Sequence, residues 1–182
     1  MAGTALILVD IQNDYFEGGD WPVAKMDEVA ANAARLLGHA RESGDAVVHI
    51  RHEMPSDQAP FFRPGTEGAA INVAVAPMEG ETVLTKSRPN SFVGTGLLEH
   101  LKGAGVTNVV ICGAMSQMCI DATARAAADH GFVVTVAVDA CGAKEMEFGG
   151  QRLTAEQVQA AFMAPLAMSY AKVVPTKDLL VA

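Results

Sequence analysis

The chain reads as an α/β domain built on a parallel sheet, and three observations point that way. Six short apolar runs recur along its 182 residues, helical patterns separate them, and no run shows the polar alternation of a half-exposed strand. Strands apolar on both faces need covering on both sides, which is the condition of a parallel sheet between two helical layers. The length suits one domain with a sizeable core.

The first run, 5–9, is brief, lacks a basic region before it and has no cleavage site after it, so it reads as a strand rather than a signal peptide. It closes at Asp10. A helical pattern over 26–41 follows and stops near Gly44. Runs at 46–50 and 82–84 are the next strands, and Lys86 closes the second of them. A helix over 96–102 ends at Gly103-Ala-Gly105, and the strand 109–112 leads into Gly113-Ala-Met-Ser-Gln-Met-Cys119. The helix 120–130 stops at Gly131, and the strand 133–138 comes after it. Thr154 and Gln157 fit a capping box for the last long helix, 154–170, and 172–174 is a weak final strand. Two stretches interrupt the rhythm. Residues 53–80 hold four prolines and the pair Phe61-Phe62, while 141–151 is a loop with Phe148-Gly-Gly. Long ordered loops in such domains serve as lids and binding segments, or pack against a partner subunit.

A net charge of −8 argues against nucleic acid and anionic membrane as partners. No apolar stretch reaches membrane-spanning length. Three cysteines without framework spacing suggest a reducing compartment, so the expected location is the cytoplasm.

The chemistry gathers at strand ends. Asp10 ends the first strand, Lys86 the third, and Cys119 follows the fourth, 33 residues beyond Lys86. In a parallel sheet these ends share one edge, where ligands bind. Each residue alone has a plain structural role: a strand-end cap, a solvated terminus, a small buried hydrophobe. Together they form a base, a cation and a nucleophile. Cys119 is expected at a helix N-terminus, where free N–H groups and the nearby Lys86 would lower its thiol pKa. Cys112 reads as core, and Cys141 as core or loop.

Three stretches carry a resemblance: Leu8-Val-Asp10-Ile-Gln-Asn-Asp14-Tyr-Phe16, Lys86-Ser-Arg-Pro-Asn-Ser91-Phe92, and Gly113 to Ile120. In these the chain resembles the cysteine hydrolases of the isochorismatase-like superfamily, to which nicotinamidases and N-carbamoylsarcosine amidase belong. The resemblance implies one domain over 1–182. It would be a Rossmann-like three-layer αβα sandwich on a six-stranded parallel sheet, assembled as a homodimer or higher oligomer. It implies that Asp10 is the general base, Cys119 the nucleophile and Lys86 the charge between them. It also implies a cis bond between Ala114 and Met115 that turns the N–H of Met115, with that of Cys119, toward an oxyanion. The chain departs from many relatives at Ser116-Gln117-Met118, where they have Thr-Asp-Tyr or Thr-Asp-Val. The nicotinamidase Asp-x-His metal motif is missing from His49-Ile-Arg51-His52-Glu53, and His49 and His52 fall on opposite faces of a strand. Neither a metal nor a cofactor is expected.

The resulting reading is a metal-independent amidase that cleaves a C–N bond of a small molecule through a Cys119 acyl-thioester. Phe16, Trp21, Phe61, Phe62, Ser91, Phe92 and Met118 are candidates for the pocket, with His52, Glu53 and Arg63 setting polarity at its mouth. The rivals are a vinyl-ether hydrolase of the isochorismatase type and a catalytically silent scaffold. The final helix is apolar most of the way round, which calls for a second covered face and favours assembly.

Overall fold

Alternation along the first strand decides the layering. In the computed structural model, which describes residues 3–56 and 58–180, β1 (Gly3–Val9) sends Ala5, Ile7 and Val9 into one core and Leu6 and Leu8 into the other. β2 (Ala46–His52), β3 (Thr82–Lys86), β4 (Val106–Ala114) and β5 (Val133–Gly142) follow in the chain. After β6 (Met146–Phe148) and β7 (Gln151–Leu153) comes β8 (Lys172–Val174). The main sheet runs β3-β2-β1-β4-β5-β8, and every neighbouring pair is parallel.

One helix covers one face and three cover the other. α1 (Met26–Ser43) brings Met26, Val29, Ala33 and Leu37 against Leu6 and Leu8. α2 (Leu97–Gly103), α3 (Asp121–Asp129) and α4 (Ala155–Ser169) bring Leu101, Ala124, Ala127 and Leu166 against Ile7 and Val9. The Thr154–Gln157 capping box is formed at the start of α4. Among the described residues, no helix is long and apolar enough to cross a membrane.

Residues 141–151 differ from the expected loop. β6 and β7 pair antiparallel around Gly149 and Gly150, both at positive φ (58° and 77°), the backbone a two-residue hairpin turn needs. Each strand has three residues, all exposed, so no apolar alternation marks them. Phe148 at the tip is 90% exposed.

The strand order reverses between β1 and β4, since β2 and β3 lie to one side and β5 and β8 to the other. The carboxyl ends of β1 and β4 therefore flank the crevice where open α/β sheets place their ligands. Gly113 keeps these ends close. It sits opposite Val9 with φ 127°, and a Cβ there would collide with the Val9 backbone. The excursion after β2 folds back onto the segment after β1. Gln12 bridges to Ile71, Asn13 N–H donates to Ala70 (3.1 Å) and Asp14 N–H to Gly68 (2.8 Å). That return brings Phe61 and Phe62 over the sheet edge.

Candidate active site

Asp10 is the first residue past β1 and adopts a left-handed backbone (φ 52°), which turns the chain out of the sheet at the carboxylate. Lys86 is the last residue of β3, and its Nζ reaches across the edge to within 2.8 Å of Asp10 Oδ2. The same nitrogen lies 3.2 Å from Cys119 Sγ. Both side chains of the ion pair are fully buried, and Cys119 is 3% exposed. Apart from the ion pair, the Asp10 oxygens hold no hydrogen bond among the described residues, so their lone pairs are open to a proton.

Cys119 does not sit at a plain helix start. Residues Ser116–Ile120 form a π-helical turn between β4 and α3, in which the N–H groups of Met118 and Ile120 both donate to the Met115 carbonyl (3.0 and 3.2 Å). The Ala114–Met115 peptide is cis. Ser116 Oγ donates to Gly142 O (3.2 Å), and Gln117 Nε2 to Lys144 O (3.1 Å), tying the turn to the end of β5. Met118 faces outward, 44% exposed.

The expected lowering of the Cys119 thiol pKa is overturned. Burial pushes it up, the Asp10 carboxylate pushes the same way, and Lys86 only partly offsets them. Burial and the carboxylate thus favour the thiol over the thiolate at rest. Burial also works against the Lys86 charge, but the Asp10 carboxylate 2.8 Å away opposes it and holds the ammonium. With a carboxylate, an ammonium and a thiol, the buried cluster is neutral, whereas a resting thiolate would leave a net charge away from water.

His52, the last residue of β2, places Nδ1 2.9 Å from Lys86 Nζ. Asp10, His52 and Cys119 each bring a potential ligand atom within 4.8 Å of one another. His52 thus meets two groups from other strands, a convergence that reading His52 beside Glu53 alone does not reveal. The Lys86 ammonium lies 2.8–3.2 Å from all three and holds the position and the positive charge a metal ion would bring. These residues do not fit a resident metal while Lys86 is present.

The aromatic candidates separate into two groups. Phe61 stacks on Trp21 (4.8 Å between centroids) and meets Phe62 edge-on (5.0 Å), while Phe62 lies 6.0 Å from the His52 ring. Trp21, Phe61 and Phe62 thus form an aromatic run that reaches the His52 side, and Phe16 packs against the same core. Phe92 instead packs against His130 and Phe132 beneath α3, and Ser91 Oγ pairs with Thr123 on α3 at 2.8 Å with no exposure. These two brace the Lys86 loop against α3. Glu53 pairs with Arg51 (3.2 Å) and Arg63 with Asp20 (3.0 Å).

Four further residues touch the residues of the candidate site. Tyr15 is buried against Phe62 (4.6 Å), and burial, then the charges of Asp10 and Asp14, keep its phenol protonated. Asp14 accepts from Phe62 N–H. Gln12 brackets the His52 backbone. Lys144 donates to Pro22 O (2.6 Å) and lies 5.3 Å over the Trp21 ring. Gln12, Asp14 and Tyr15 stand inside the first motif, so proximity to Asp10 could have flagged them; Lys144 carries no such signal.

Comparison with known proteins shows the family. Residues 4–169 match the family pattern described as the isochorismatase domain. An uncharacterized isochorismatase family protein of Bacillus subtilis, YddQ, is 45% identical across 97% of this chain and 98% of its own length. The maleamate amidohydrolase of Pseudomonas putida is 37% identical over 76% of this chain and 71% of its own. A solved structure assigned to the isochorismatase hydrolases, from Oleispira antarctica, superposes with a TM-score of 0.95 at 45% identity, covering 99% of this chain and 97% of that one. With its fold and its sequence in agreement over nearly the whole length, the chain belongs to the isochorismatase family of hydrolases.

Proposed function

We propose that the protein is a cysteine-dependent amidase that hydrolyses a C–N bond of a small carboxamide. The observation that carries this reading is the single ammonium, Lys86, held between a buried carboxylate and a buried thiol. The similarity to a maleamate amidohydrolase supports an amide substrate.

The neutral cluster sets the order of proton movement. As Cys119 Sγ bonds to the substrate carbonyl carbon, its proton passes to Asp10, and the negative charge moves onto the substrate oxygen, where the Lys86 ammonium beside the sulfur offsets it. The carbonyl oxygen becomes an oxyanion, for which the N–H groups of Met115 and Cys119 are the donors; each such donor contributes about 3 kcal/mol in comparable sites. Collapse breaks the C–N bond, and Asp10 returns the proton to the leaving amine. Water then gives a proton to Asp10 and attacks the thioester, the C–S bond breaks, and the carboxylic acid leaves as Asp10 reprotonates the sulfur. Phe16, Trp21, Phe61 and Phe62 would form the apolar side of the pocket, with Met118 at its mouth.

The test is a panel of small amides, esters and vinyl ethers assayed with native protein and Cys119→Ala. Amide turnover that disappears in Cys119→Ala, with an acyl adduct on Cys119 in quenched reactions, is the expected result. Amide turnover surviving in Cys119→Ala, or activity confined to vinyl ethers, would overturn this reading.

A further inference from the structure

Three acceptors surround the Lys86 ammonium, and it has three N–H bonds to give. They are Asp10 Oδ2 at 2.8 Å, His52 Nδ1 at 2.9 Å and Cys119 Sγ at 3.2 Å. An ammonium has no lone pair, so Lys86 is the donor to His52 and to Cys119, and it meets Asp10 as an ion pair. His52 must then offer a bare Nδ1 and carry its proton on Nε2, in a neutral ring. Burial, together with the Lys86 charge, holds the imidazole below its ordinary pKa against the opposing pull of Asp10.

The fold holds the imidazole in place from its backbone. Asp10 N–H makes the last ladder bond to β2, at Ile50 O (2.9 Å), before the chain turns away. The Gln12 side chain then takes over the pairing. Its Nε2 donates to His52 O (2.9 Å), and its Oε1 accepts from His52 N–H (2.7 Å). Nε2 donates as well to Ala69 O (2.8 Å), and Gln12 is fully buried. A primary amide thus stands where the next peptide of β1 would be, and His52 is held as if it were still inside the sheet.

We propose that His52 is a positioning residue for the Lys86 ammonium: by accepting one of its protons at Nδ1, it directs the other two toward Asp10 and Cys119. The assignment deepens the amidase reading, on which it rests for its catalytic meaning, while the geometry it describes exists without substrate. Removing the acceptor lets the ammonium rotate and weakens its support of the sulfur.

Nitrogen-15 NMR of histidine-labelled protein at neutral pH reads the tautomer directly. The expected result is a His52 ring protonated at Nε2 with a hydrogen-bonded, bare Nδ1, and a shifted Nδ1 signal in Lys86→Met. A proton on Nδ1, or His52 signals unchanged in Lys86→Met, overturns the proposal. The second measurement is the rate of iodoacetamide alkylation at Cys119, followed by peptide mapping. His52→Ala should slow it about tenfold or more, the scale of a lost hydrogen bond to a charged group. His52→Asn keeps an oxygen acceptor and should stay within about threefold of native. Equal rates in all three proteins, or His52→Asn as slow as His52→Ala, also overturn it. Neither measurement needs turnover, so failure of the amidase panel and failure of the His52 assignment are separate results.

Discussion

The Asp14 carboxylate reaches 48 residues along the chain to accept a 2.6 Å hydrogen bond from the buried N–H of Phe62. Phe62 has a left-handed backbone (φ 52°) and no exposed surface, so this bond holds an otherwise unfavourable conformation in place. Asp14→Ala leaves that N–H buried without a partner. The expected cost is about 1–3 kcal/mol, a fall in Tm of roughly 2–10 °C for a chain of this size. Urea unfolding at unchanged m-value checks it; a loss below a few tenths of a kcal/mol would show that the loop is held elsewhere.

Asp10 should slow the chemistry of free Cys119 while enabling its catalysis. Its negative charge disfavours the thiolate, so Asp10→Asn removes one of the two influences that raise the thiol pKa and leaves Lys86 less opposed. The alkylation-versus-pH curve of Asp10→Asn should move to lower pH, with faster labelling near neutrality. Amide turnover should fall at least about a thousandfold, because no base remains to take or return the proton. A curve shifted to higher pH would contradict the charge arrangement described for the cluster.

Chelation should leave activity intact. Lys86 occupies the point where Asp10, His52 and Cys119 converge, so a cation could enter only by displacing the ammonium. We expect full turnover after dialysis against chelator. Loss of turnover restored by zinc, manganese or iron would reverse this.

Assembly should run through the outer face of α4. Val158, Met163 and Leu166 are buried, while Ala160, Ala164, Ala167 and Met168 recur at helical spacing on an exposed face, with Met168 82% exposed. We expect sedimentation at micromolar concentration to show a dimer or larger oligomer. Ala164→Glu with Met168→Glu should shift it toward the 19.0 kDa species. A native protein that sediments only at that mass would rule out the assembly.

The sheet was legible because six apolar runs with helices between them leave few ways to cover both faces. Asp10, Lys86 and Cys119 were legible because strand ends in such a sheet share an edge. Residues whose role depends on how a loop returns were not. Ser91 and Phe92 look like pocket groups beside Lys86, yet the loop turns them under α3. Phe61 and Phe62, which the sequence offers as pocket candidates, lie at the edge where Asn13 and Asp14 hold the distant end of the excursion. The direction of the Cys119 shift was misread for a related reason: the helix start and the lysine are local features, whereas burial and the Asp10 charge arise from tertiary packing.

Gly113 makes the site a question of clearance. The strand that leads to Asp10 and the strand that leads to Cys119 touch there through main chain alone. The gap between Asp10 and Cys119 is thus gauged by a rigid stop rather than by deformable side chains. A single methyl at that stop would act as a wedge. Gly113→Ala would leave Asp10, Lys86, His52 and Cys119 all present and still leave the enzyme idle, an inactivity that no inventory of its reactive groups would explain.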